Sequence, residues 1–110
     1  MFIGNEENAE ALFLQARELA PQSSYVFAMS ASYELAKHGI GHAKIFAQEA
    51  CARATKKTGA LCYTIKARIL DMQLDHYGRV EALAKALEYQ PNDLITKHQY
   101  EIAEKSLFKQ

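Results

Sequence analysis

Proline punctuates this chain twice, at Pro21 and Pro91, and both times the residues before it run alike. Residues 15–23 read QARELAPQS and residues 85–93 read KALEYQPND. In each, a small Ala (Ala16, Ala86) is followed two residues on by Glu (Glu18, Glu88) and then by an apolar residue (Leu19, Tyr89). Pro falls five residues past the Ala in both. Proline has no amide donor and its ring clashes with the preceding turn, so each stretch reads as the last turn of a helix followed by a polar turn. A helix end that recurs with its own turn chemistry points to stacked helical hairpins rather than one closed bundle. The prolines stand seventy residues apart, two more than two periods of thirty-four, so an intermediate repeat is expected between them. Ala50 supplies it, thirty-four residues after Ala16 and thirty-six before Ala86. Ala43, Ala47 and Ala50 place small residues on one helix face, where two helices must approach closely.

Apolar spacing then divides the chain into six helices. The first runs from a cap at Asn5 to about residue 20, with Ala9, Leu12, Phe13, Ala16 and Leu19 on one face. Ser23 is a good N-cap for a second helix at about residues 24–37, stopped by Gly39. The third is expected from after Gly41 to about residue 57, the fourth over about residues 60–74, and the turn over residues 75–78. A fifth covers about residues 79–90, and a sixth, capped by Asn92, about residues 93–109. No segment alternates with period two, so no strands are expected. The fold class expected is all-α, a single domain of stacked antiparallel hairpins, and the family resemblance that follows implies that they form a short right-handed solenoid.

At this point the chain resembles the tetratricopeptide repeat family, whose pattern has a bulky residue at repeat position 4, small residues at 8, 20 and 27, and Pro at 32. In a repeat starting at Ser24 these are Phe27, Ala31, Ala43 and Ala50, with Thr55 in place of the proline. In the next, ending at Pro91, Tyr63, Ala67 and Ala86 match, while Arg79 stands at position 20. The family's Leu at position 7 is Ser30 and Lys66 here, and its Tyr at position 11 is Glu34 and Leu70. The phase makes the first helix the second half of a hairpin and the sixth a first half, as in a slice of a longer solenoid.

Thirteen basic residues balance thirteen acidic ones without a basic stripe, which argues against nucleic acid and anionic membrane partners. No apolar run approaches the roughly twenty residues of a membrane span. Nothing in the opening MFIGNEENAE reads as a signal peptide, and the cytoplasmic expectation rests on the cysteines. Cys51 and Cys62 have no CxxC spacing and read as reduced core thiols.

His38 and His42 have the i, i+4 spacing of a helical metal pair, but Gly39 and Gly41 interrupt the helix and the pair reads as solvated loop residues. Cys51, Cys62, His76 and His98 match no zinc module. Gly39-Ile40-Gly41 lacks the strand and third glycine of a phosphate loop. No enzyme signature emerges, and neither cofactor nor metal is expected; a small Cys/His hydrolase is the enzyme-class alternative.

What remains is a surface for a protein or peptide partner. The resemblance implies that the first helix of each hairpin lines a concave groove, with Tyr25, Ala28, Met29, Ser32, Leu35 and Ala36 in one repeat, Leu61, Thr64, Ile65, Arg68, Asp71 and Met72 in the next, and His98 and Gln99 with Ile102 in the last helix. The alternative for Met29, Ile65 and Met72 is a core role. Ala28 and Ser32 replace the Lys and Asn of the family's carboxylate clamp, so chaperone-tail binding is not expected. The open ends, with Phe2 and Phe13 at one and Leu107 and Phe108 at the other, make homo-oligomerisation the alternative function.

Overall fold

The computed structural model describes residues 5–108, and the side chains of residues 8–108. Six helices follow one another: α1 (Asn5–Leu19), α2 (Ser24–Ala36), α3 (Ile40–Ala52), α4 (Gly59–Met72), α5 (His76–Tyr89) and α6 (Leu94–Phe108). There is no strand among the described residues, so the all-α class holds. None of these helices is long and apolar enough to cross a membrane.

Local chemistry explains most of the boundaries. Ser23 caps α2 as expected, its hydroxyl accepting from the Val26 amide at 3.2 Å. Past α2 the chain turns through His38 in the left-handed region, with φ 65°. The expectation of a third helix reaching residue 57 fails, because α3 stops at Ala52. The Thr55 and Thr58 side chains take over the backbone there. Thr58 Oγ1 accepts from the Thr55 amide at 3.0 Å, and Thr55 Oγ1 accepts from the Lys57 and Thr58 amides at 3.3 Å. Such local side-chain bonds compete with the helical ladder and end it. The fifth helix begins earlier than expected, at His76, because Asp75 Oδ1 accepts from the Gly78 amide at 2.9 Å and acts as its N-cap. Asp93, rather than Asn92, precedes α6 as its cap, bonding the Ile95 amide at 3.1 Å and the Thr96 hydroxyl at 2.9 Å. Asn5, expected as a cap, is the first residue of α1.

The most extensive contacts join α2 to α3 and α4 to α5. Lesser contacts join α1 to α2, α3 to α4 and α5 to α6, and α2 also reaches α4. Packing between chain neighbours elongates the molecule, to 44 × 28 × 24 Å with a radius of gyration of 14.8 Å. A rounder domain of this length would have about 13 Å.

Alanine dominates the interior. Ala28, Ala31, Ala43, Ala47 and Ala50 pack with Leu35, Cys62, Ile65 and Ile69 between α2, α3 and α4. A second cluster of Ala67, Ala82, Leu83 and Ala103 joins α4, α5 and α6. Side chains this small let helix axes approach at the short end of the usual 8–10 Å or so. Gly59 extends the same logic. A Cβ there would lie 2.3 Å from the Tyr89 ring, which stacks on Tyr63 with centroids 6.0 Å apart.

Candidate functional site

The groove positions divide between core and surface. Ala28, Leu35 and Ile65 are buried, Met29, Ser32 and Thr64 are half-buried, and Tyr25, Arg68, Asp71, Met72, His98, Gln99 and Ile102 are exposed. Thr64, Arg68 and Asp71 of α4 and Gln99 of α6 come together around one cavity of about 160 Å³, with Ala67, Arg79 and Leu83 completing its lining. Tyr25, Met29, Ser32 and His98 lie outside it. Arg79 Nη1 holds Asp71 Oδ1 at 3.4 Å, whereas Arg68 has no ion pair among the described residues. The Thr64 hydroxyl is committed to the Leu61 carbonyl at 2.9 Å.

The residues expected at the open ends fare differently from one another. Phe13 is half-buried, its ring centroid 5.1 Å from that of Tyr33 on α2. The uncovered apolar residues of α1 are instead Leu12, Leu14 and Leu19. Leu107 is half-buried and Phe108 is exposed at the end of α6. Phe2 lies outside the described residues.

A second cavity, of about 290 Å³, went unanticipated from the sequence. It opens between α1, α2 and α3 and is lined by Glu10, Phe13, Leu14 and Arg17, by Ser30, Tyr33 and Glu34, and by His42 and Phe46. Arg17 Nη1 donates to the Ser30 hydroxyl at 2.7 Å, and its guanidinium lies 4.1 Å from the Phe46 ring centroid. Ser30 passes its own proton to the Val26 carbonyl at 2.9 Å. Lys37 pairs with Glu10 and sits 5.1 Å from the Tyr33 centroid. The Glu34 side chain is 13% exposed, and the His42 imidazole stands beside it, Nδ1 to Oε1 3.6 Å, an ion pair only when that ring is protonated.

The same crevice recurs one hairpin along. Lys44, Ala47 and Gln48 of α3 stand thirty-four residues after Glu10, Phe13 and Leu14, and Lys66, Ile69 and Leu70 of α4 stand thirty-six after Ser30, Tyr33 and Glu34. All six line a cavity of only about 60 Å³. Equivalent positions therefore leave a small cavity beside two lysines, Lys44 and Lys66, in one place and a larger one with both signs of charge in the other. The one advance signal was that Ser30 and Glu34 depart from the Leu and Tyr of the resembling pattern.

The remaining chemistry-bearing groups are structural in their surroundings. Cys62 is fully buried, and Cys51 is half-buried with both thiols free. Burial, with Cys62 adding to it and Lys66 opposing, pushes the Cys51 thiol up to about 11, so it stays protonated near neutral pH and is a poor nucleophile. His38 and His42 are both exposed. No group of three or more His, Cys, Asp and Glu residues converges on a metal-sized site among the described residues.

No protein-family model matches this chain, and no curated protein matches it significantly.

Proposed function

We propose that this chain is a non-enzymatic protein-interaction module of tetratricopeptide-like hairpins, binding a segment of a partner protein in a groove formed by α2, α4 and α6. The observation that carries the reading is that each of the three helices leaves an apolar side chain uncovered on this face, although others are uncovered elsewhere, among them Ile45, Leu74 and Tyr77. Tyr25 of α2, Met72 of α4, and Ile95 and Ile102 of α6 are all exposed. The resemblance assigns Tyr25, Met72 and Ile102 to groove positions, and Ile95 shares the face of Ile102 seven residues on. Exposed aromatic, methionine and arginine side chains are the residue types that anchor interfaces. The recurrence of one crevice at spacings of thirty-four and thirty-six residues supports the repeat reading.

Peptide selection against the full chain from a displayed library tests this. Selected peptides should bind Tyr25→Ala and Arg68→Ala about tenfold or more weakly, the usual cost of truncating an anchor. Selection that enriches no sequence, or peptides that bind both variants as tightly as the parent, would contradict the groove.

Self-association is the second reading, favoured by Leu12, Leu14 and Leu19 lying uncovered on α1. Leu12→Glu should then turn a dilution-resistant dimer into a monomer in light scattering.

A further inference from the structure

The cavity between α1, α2 and α3 holds opposite charges that the protein leaves incompletely satisfied. Arg17 lies over the Phe46 ring and donates to the Ser30 hydroxyl, two contacts that orient its guanidinium. It has no carboxylate partner among the described residues, although Glu10 and Glu34 line the same cavity. Glu10 is taken by Lys37. The Glu34 side chain is only 13% exposed and accepts no hydrogen bond among the described residues; the His42 imidazole stands 3.6 Å from it. Its carboxylate oxygens keep solvent access, since no side-chain oxygen among the described residues is both buried and without a partner, so they are open to a cationic donor brought into the cavity. A preoriented guanidinium likewise favours a carboxylate, which it can grip with two parallel bonds. The same cavity is lined by three aromatic rings, Phe13, Tyr33 and Phe46, with Leu14.

We propose that this cavity binds a small zwitterion of amino-acid size with an aromatic side chain. Its carboxylate meets Arg17, its ammonium meets Glu34, and its ring packs among the aromatic walls. The volume of about 290 Å³ sits at the small end of ligand sites, roughly 300–1,000 Å³, and suits a single amino acid. The equivalent crevice between α3 and α4 is the internal control. Leu70 replaces Glu34 there, Cys51 stands thirty-four residues after Arg17, and the space shrinks to about 60 Å³. The larger opening and the opposite charges therefore occur together, in one crevice of the pair, whereas the smaller is lined by Lys44 and Lys66 with no acidic residue.

Calorimetric titration of the full chain with three probes tests the assignment: L-phenylalanine, phenylacetate, which lacks the amine, and phenethylamine, which lacks the carboxylate. Phenylalanine should saturate one site, with each analogue about tenfold or more weaker, the worth of a charge-assisted hydrogen bond. Glu34→Gln should weaken phenylalanine by a similar factor while leaving phenylacetate unchanged or tighter. Arg17→Lys should weaken phenylalanine and phenylacetate and spare phenethylamine. Arg17 also fastens α1, so the Glu34→Gln result stands by itself if Arg17→Lys disturbs the fold. The proposal is overturned if none of the three probes gives a saturable signal. It is equally overturned if phenylacetate matches phenylalanine, or if Glu34→Gln leaves phenylalanine binding unchanged.

Discussion

The Thr58 hydroxyl donates to the Ser24 hydroxyl across 2.9 Å, and the two residues stand thirty-four apart in the chain. Ser24 is the first residue of α2 and Thr58 immediately precedes α4, so the bond ties the starts of two helices in parallel. Ser24 passes its proton to the Ala50 carbonyl at 3.0 Å near the end of α3, and the Cys62 thiol lies 3.0 Å from the Ser24 oxygen. Three helices thus meet at one buried hydroxyl.

Ser24→Ala should destabilise the chain by about 1 kcal/mol, read as a lower denaturant midpoint with unchanged slope. The figure stays modest because the Ala50 carbonyl also accepts from the Arg53 amide at 3.2 Å. Thr58→Ala in the Ser24→Ala background should add less than it does alone, since the two share a bond.

Ala50 is completely buried where α2, α3 and α4 converge. Ala50→Leu should cost about 1–3 kcal/mol or more by forcing the helices apart. At exposed Ala52, on the same helix, the same change should move the thermal midpoint little.

Gly59→Ala sets two effects against each other. Alanine favours a helix by up to about 1 kcal/mol over glycine. Its methyl would collide with the Tyr89 ring near its attachment, so the ring must leave its stack on Tyr63. Net destabilisation is expected, and Tyr89→Ala should convert the same substitution into a stabilising one.

Cys51 makes stability pH-dependent in the alkaline range. Its folded-state value near 11 lies above the ordinary thiol value of 9.0, so folding opposes ionisation. Stability from this group is complete below about pH 9 and is lost as pH rises towards 11. The Cys51→Ala chain should show a flatter decline between those limits, followed by chemical denaturation. A thiol reagent should modify Cys51 slowly at neutral pH in the folded chain and faster once it is unfolded.

Helix order and most turns were legible because their signals are local: Ser23 before α2, Gly39 after it, and the proline-marked ends of α1 and α5. The end of α3 was not, because the reciprocal bonding of Thr55 and Thr58 imitates no standard stop signal. Thr64, Arg68 and Asp71 could be placed near one another because their spacing of three to four residues puts them on one face of α4, and Gln99 of α6 lines the same cavity. The α1–α2–α3 cavity could not. Arg17, Glu34 and His42 come from three helices, and no spacing within one segment links them. Ser30 shows why a departure from pattern is informative: its hydroxyl sits where it can receive the Arg17 guanidinium.

Mapping amide chemical-shift changes on the full chain as a selected peptide is titrated in tests the proposed groove most directly. Changes concentrated at Tyr25, Met29, Arg68, Met72, Gln99 and Ile102 are what the account predicts. Changes concentrated on Leu12, Leu14 and Leu19 of α1, with the groove residues silent, would contradict it.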